Sequence, residues 1–328
     1  MHIGKQYKLV EFLIWTRRDI YWLLGLAAIP TTLYAVLGWK WIAIPWVPIA
    51  VIGTAAAFII GFKNTQTYNR LWEARQIWGA IVNTSRSWGI LSRDFVKADA
   101  SVHSELMLRH CAWLTALRYQ LRETRGWENT NKPHFKEYRK FYSIPEWETP
   151  LEDELKKYLP ESELAYVLSK KNRATQLIAI QSKRLKELRE RNQIAEFEYV
   201  ELAQTLSNLY EQQGKCERIK NFPYPRQFAS LTMFFVWLFV FLLPLGMLNE
   251  FAKIGPECVW FAIPFSTVVS WVFTSMDRVG EATENPFEGS ANDIPMASLS
   301  RTIEIDLRDM LDEENLPPPI AAKNNIVL

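Results

Sequence analysis

Side chains able to do chemistry are few and scattered in this chain. Its four histidines are His2, His103, His110 and His134, and its three cysteines are Cys111, Cys216 and Cys258. Metal and redox sites need such groups in short paired spacings, and no such pairing occurs. His103 and His110 lie two turns apart on one helical pattern and read as ordinary helix residues. An odd set of cysteines without framework spacing reads as free thiols in a reducing compartment. There is no glycine-rich phosphate loop, no His-Glu-x-x-His pair and no nucleophile elbow. An enzyme reading finds no support, and no cofactor or metal is expected.

The informative pattern is built from small and aromatic residues. Between Gly53 and Phe62 the chain reads Gly-Thr-Ala-Ala-Ala-Phe-Ile-Ile-Gly-Phe. Gly53, Ala57 and Gly61 recur every four residues, a stripe that lets helix backbones approach closely. Thr54, Phe58 and Phe62 form an adjacent stripe on the same spacing. Two readings stand side by side. In one, the small stripe packs on a neighbour and the phenylalanines face lipid. In the other, several copies of the helix surround an axis, and the rings make an apolar constriction that gates by dewetting.

The elements around this pattern are apolar runs of spanning length. Ile20–Trp39, Trp41–Phe62 and Gln227–Asn249 carry no charge, and Cys258–Met276 has Glu257 just outside it. Each is about twenty residues, the length that crosses a hydrocarbon core of about 30 Å. The first is not a secretion signal, because a second apolar run follows almost at once. Lys5, Lys8, Arg17 and Arg18 precede the first run, whereas Lys40 and Lys253 stand alone in the short loops. The positive-inside bias therefore places both chain ends in the cytosol after four crossings. Trp22, Trp39, Trp41 and Trp46 lie near the ends of the first two runs, where indoles favour the interface. Pro30, Pro244 and Pro264 fall in or near spans, where neighbours can re-satisfy the backbone.

The expected organisation is a cytosolic segment over 1–19, two spans within 20–62, a helical cytosolic region over 63–226, two further spans within 227–276, and a cytosolic segment with tail over 277–328. From Thr65 to about Arg125 the only glycines are Gly79 and Gly89, and apolar residues recur at helical spacing. A break from Gly126 to Pro160 contains Pro133, Pro145, Pro150 and Pro160 and reads as loop with short helices. A second long helix is expected from Glu161 to about Gln213, with Gly214 as its C-cap. The alternating charges from Lys183 to Arg191 read as a solvated face. The tail from Pro317 to Leu328 reads as extended. A net charge of +2 gives no reason to expect a nucleic-acid partner.

Ordered motifs along nearly the whole chain resemble the bestrophins, in their bacterial branch. They are Gly61-Phe62, Arg70-Leu71-Trp72-Glu73-Ala74-Arg75, Trp78-Gly79, Val82-Asn83, Cys216-Glu217-Arg218-Ile219 with Pro223 and Pro225, and Leu243-Pro244-Leu245-Gly246. Glu284-Asn285-Pro286-Phe287, Asn292-Asp293-Ile294-Pro295-Met296 and Ile303-Glu304-Ile305-Asp306-Leu307 follow. The resemblance implies an all-α membrane protein with four transmembrane helices per subunit and a large helical cytosolic region. It also implies a homopentameric ion channel in the bacterial inner membrane, whose partners are its own copies, the lipid bilayer and the permeating inorganic ions. The second span would line a narrow hydrophobic neck with Thr54, Phe58 and Phe62. Thr54 departs from the family's usual three apolar residues. A second, cytosolic constriction has Val200 as its closest match.

Animal members of the family hold calcium with consecutive acidic residues after the Asn-Pro-Phe motif. Here the stretch reads Glu288-Gly289-Ser290-Ala291-Asn292-Asp293 and lacks that run. A hard cation wants six to eight oxygen ligands, so tight calcium binding is not expected. Asn285, Asn292 and Asp293 are instead expected to tie the C-terminal segment to neighbouring helices. Family members pass anions or cations. Phenylalanine edges are electropositive, so two Phe rungs favour chloride-like anions. A monovalent-cation channel is the alternative, and a non-conducting membrane scaffold is the rival of another class. A secondary transporter would need charged groups within the spans, which are missing.

Overall fold

The computed structural model describes residues 1–328. Regular structure is helical throughout, with isolated bridges only, at His2–Ile326 and Lys323–Ile326. The helices are α1 (Leu9–Ala35), α2 (Trp46–Phe95), α3 (Ala100–Arg122), α4 (Pro133–Tyr138), α5 (Pro145–Glu148), α6 (Leu151–Leu155), α7 (Glu161–Leu168), α8 (Arg173–Glu190), α9 (Glu196–Asn221), α10 (Arg226–Ile254), α11 (Ala262–Thr283) and α12 (Met296–Asp309). They fall into two compact units. One comprises Lys5–Arg70 and Pro223–Asn285; the other comprises Met1–Gly4, Leu71–Phe222 and Pro286–Leu328.

The first unit contains α1, the N-terminal half of α2, α10 and α11. Three stretches are long and apolar enough to cross a membrane: Lys40–Phe95, Arg226–Ile254 and Pro256–Thr283. The first apolar run, read over Ile20–Trp39, lies in α1 and is not among these three. Its helix ends at Ala35 instead of Trp39, and its first half carries Glu11, Arg17, Arg18 and Asp19. The second helix begins at Trp46 instead of Trp41, after a 3-10 turn over Lys40–Ile42. Outward faces carry Trp22, Ile29, Phe234, Phe241, Phe265 and Val268, all more than half exposed. An apolar surface of that extent suits lipid and not water. Inward faces are small or hydroxylated: α11 buries Ala262, Ser266, Thr267, Ser270, Thr274, Ser275 and Gly280. Threonines on these helices donate back one turn, as Thr31 does to Ala27 O at 2.8 Å and Thr267 to Ile263 O at 2.8 Å. Such bonds satisfy polar groups that lipid cannot.

The second unit is built on α3, which packs against α8, α9 and α12. Trp78, Trp88, Trp113, Leu114, Leu117 and Phe287 are fully buried in its core. The long helical stretches of the sequence reading are each divided. The chain breaks between Phe95 and Ala100, where Lys97 N donates to Gln193 O at 2.8 Å. The stretch from Glu161 forms three helices. Asn172 caps the second by accepting from Thr175 N at 3.0 Å, and Asn192 turns the chain with φ 57° before the third. Both are residues that accept turn and cap geometry readily. Gly214 is no C-cap; it lies inside α9, which continues to Asn221. The segment between α3 and α7 is loop with short helices, as the prolines imply. The tail is not simply extended, because Asn324 and Asn325 turn it with φ 52° and 61°. Ile326 and Leu328 then bury themselves beside Tyr142 and Ile144.

Charge is held deep in this unit. Arg109 bonds Glu163 at 2.6 Å, Glu105 at 2.7 Å and Gln181 at 2.9 Å. Lys220 is paired with Glu128, both nearly inaccessible. On α3, His110 stacks near Trp88 and Trp113 and holds Ser85 Oγ at 2.8 Å. Burial pushes its pKa from 6.5 down to about 3. The unfolded chain therefore binds a proton below about 6.5 that the folded chain refuses, so stability present at neutral pH is lost as pH falls towards about 3. The His110→Gln variant is expected to show a shallower loss of stability between about pH 6.5 and about pH 4 in chemical denaturation. An unchanged slope would assign the acid sensitivity to other groups.

Candidate functional site

The rotation of α2 decides what it presents. One face is packed: Ile49, Ala56 and Ile60 are at most 1% exposed. The opposite face is bare along Val47, Val51, Thr54, Phe58 and Phe62, spaced by three or four residues. Phe58 is 77% exposed and Phe62 44% exposed. Such a face on a spanning helix is either lipid-facing or turned towards further copies.

Two glycines set this rotation. A Cβ on Gly53 would stand 2.6 Å from the Phe239 ring of α10, so only glycine admits that ring. Conversely, a Cβ on Gly246 of α10 would stand 2.3 Å from Ile49 Cδ1 of α2. Each helix thus takes a side chain of the other where it has none of its own. The small stripe read from sequence is split accordingly. Gly53 is packed, whereas Ala57 and Gly61 are exposed on the same side as the phenylalanines, with nothing within 4 Å of a Cβ at Gly61.

Thr54 lies on the bare face and donates its hydroxyl to Ala50 O at 2.9 Å. Its proton is thereby spent within the helix. Phe62 has a neighbour that sequence reasoning missed: the Phe228 ring of α10, 5.7 Å away between centroids. Phe228 sits in the first turn of a helix with little apolar periodicity, so no pattern singled it out.

In the other unit, Val200 is 56% exposed on α9, beside Phe197 at 92%. Both lie on a bare stripe continued by Gln204, Ser207, Glu211, Gly214 and Arg218. Arg218 pairs with Glu73 of α2.

Of the three clasp-region residues, Asn285 and Asp293 are buried and Asn292 is half-buried. Asp293 accepts from Arg122 Nη1 of α3 at 3.1 Å and from Gly289 N at 2.7 Å. Gly289 has φ 95°, a left-handed conformation that favours glycine in this tight turn. Burial pushes the Asp293 carboxyl up to about 6, against the pull of Arg122 and the Gly289 N–H. Glu288 accepts from Asn129 N at 2.9 Å. No group of three or more His, Cys, Asp or Glu side chains is gathered to hold a metal.

Two polar cavities, of about 230 and 120 Å³, are lined by residues such as Arg122, Trp147 and Arg173, or Cys111, Tyr158 and Glu304. Neither involves the Thr54–Phe62 face.

Comparison with known proteins agrees along the length of the chain. A family model described as bacterial/fungal bestrophin protein matches residues 17–309. The voltage-dependent anion channel-forming protein YneE of Escherichia coli (strain K12) is 27% identical over 274 residues, covering 83% of this chain and 79% of that protein. A voltage-dependent anion channel-forming protein of Ralstonia nicotianae is 26% identical over 280 residues, covering 84% and 80%. Among solved structures, a bacterial bestrophin homologue from Klebsiella pneumoniae superposes with a TM-score of 0.74 at 24% identity. It covers 94% of this chain and 100% of the other.

The packed glycine at position 53 generates a direct test. Gly53→Val forces Phe239 aside and is expected to lower stability by about 1–3 kcal/mol, the usual cost of overpacking. Gly61→Ala, with open space around it, is expected to leave the melting temperature of the detergent-solubilised protein unchanged. Equal sensitivity at both positions would mean that α2 is rotated differently.

Proposed function

Because this chain belongs to the bacterial and fungal bestrophin family, we propose that it forms an ion channel of five copies around one central pore. The bare face of α2 lines the narrow part of the pore, with Thr54, Phe58 and Phe62 as its neck. Four spans carry each copy through the bacterial inner membrane, the fourth being the uncharged part of α1, and both chain ends are cytosolic. The observation that carries this reading is the one-sided packing of α2: its apolar residues divide between a face locked to α10 and a largely exposed face that carries Phe58 and Phe62. Lipid would accept that face, and so would further copies of the helix meeting around an axis, which would set Phe58 and Phe62 at a constriction. Hydrophobic rings at a constriction resist wetting and so make a gate without any charged group.

The permeating ions are small and monovalent, and chloride-like anions are favoured. Support comes from the relatives named as anion channel-forming proteins and from the electropositive edges of phenylalanine rings. Val200, on the bare stripe of α9, is the second, cytosolic constriction. Calcium does not control the channel tightly. The carboxylates that follow the Asn-Pro-Phe motif are already engaged, Glu288 by Asn129 N–H and Asp293 by Arg122. They tie the C-terminal segment to the helical body instead.

The test is single-channel recording of purified protein in a planar bilayer under a potassium chloride gradient. Phe58→Ala is expected to raise conductance or open probability severalfold, and the reversal potential is expected near the chloride equilibrium potential. Reversal near the potassium potential would overturn the anion preference. Absence of current in both forms would favour a non-conducting scaffold.

A further inference from the structure

Directly after Phe62, α2 turns a polar surface inward. Lys63 is 5% exposed, and its Nζ lies 2.6 Å from Asp277 Oδ1 on α11. Asn64 Nδ2 donates to Met276 O of α11 at 3.0 Å. One turn further, Thr283 Oγ1 donates to Thr67 Oγ1 at 3.0 Å. Gly280 lies within this run, and a Cβ there would stand 2.2 Å from Asn64 Oδ1. The next residue after Asp277 is also engaged, since Arg278 pairs with Asp19 of α1. The last turns of α11 therefore hold α2 and α1 through separate ion pairs.

A lysine at the end of a spanning helix ordinarily extends its head to water. Lys63 does the reverse: its ammonium is drawn inward onto a carboxylate. A pair so shielded is costly to break, because removing one member leaves the other charge buried and uncompensated. Successive residues differ by about 100° around a helix. Fixing Lys63 and Asn64 against α11 thus fixes the direction in which Phe62, the preceding residue, can point. The Gly53–Phe239 contact fixes α2 nearly three turns above, and this pair fixes it at the lower end of the neck.

We propose that the Lys63–Asp277 ion pair, closed over Gly280 by Asn64, is the latch that positions Phe62 in the neck. Lys63 and Asp277 are positioning residues; they act on ion flow through the phenylalanine ring and touch no permeating ion. This rests on the neck reading given above. Because the pair is internally neutral, it contributes no fixed charge to selectivity while intact.

The experiment is single-channel recording of Lys63→Met, Asp277→Asn, the exchange K63D/D277K and Gly280→Ala, each checked for assembly by size-exclusion chromatography. Both single charge variants are expected to change open probability severalfold, and the exchange to bring it back towards the parent value. Gly280→Ala, which crowds Asn64 with no change of charge, is expected to act in the same direction. In a Phe62→Ala background, Asp277→Asn is expected to have little further effect, a non-additivity that a general loss of stability would not produce. If Phe58→Ala alters conductance while the latch variants behave as the parent, the latch is overturned and the neck stands. Additive effects in the Phe62→Ala background would also overturn it. If Phe58→Ala has no effect, the neck reading itself fails. Should a charge variant not assemble, Gly280→Ala with and without Phe62→Ala decides the matter.

Discussion

The reciprocal fit between α2 and α10 is the contact on which the functional reading depends. Phe239 occupies the space left by Gly53, and Ile49 occupies the space left by Gly246. Without hydrophobic force to drive helices together in lipid, close packing of this kind is what holds them. Because a helix is rigid about its axis over a few turns, the fit at one face dictates the other. It turns Val51, Thr54 and Phe58 away from the protein, and the polar contacts at Lys63, Asn64 and Thr67 keep that orientation through Phe62.

The unit built on α3 is stabilised differently. Its helices are rich in charge, and its core holds Trp78, Trp88 and Trp113, while Arg109, Arg118 and Arg122 are also buried. Arg109, Arg118 and Arg122 each reach two or more acceptors, among them Glu163, Glu146 and Asp293. Buried pairs of this kind are weak sources of net stability, yet removing one partner is strongly destabilising because it leaves the other charge buried and uncompensated. Arg122 ties the segment after the Asn-Pro-Phe motif to α3 through Asp293.

Much of this was legible in the sequence, for reasons that differ by element. The apolar runs over 41–62, 227–249 and 258–276 announce their helices because lipid enforces length and absence of charge. The stripe of Thr54, Phe58 and Phe62 was visible because helical spacing alone puts them on one face. Which face Gly53 served was not, since that depends on Phe239, nearly two hundred residues away. The breaks at Lys97 and Asn192 were missed because tertiary contacts, such as Lys97 N to Gln193 O, override a continuous helical pattern. Nothing in the sequence pairs Lys63 with Asp277, because the two are more than two hundred residues apart. Each does follow directly on an uncharged run, over 41–62 and 258–276.

The central claim is that the bare face of α2 lines the ion path, and modification of single cysteines tests it most directly. In a Cys258→Ser background, cysteine would be placed at Thr54, Phe58 or Phe62, and at Ile60 on the packed face. A charged methanethiosulfonate reagent would then be added during bilayer recording. Current is expected to change sharply on modification at 54, 58 and 62, and to stay constant for the variant at 60. Modification at Phe58 or Phe62 that leaves the current untouched would place the ion path elsewhere.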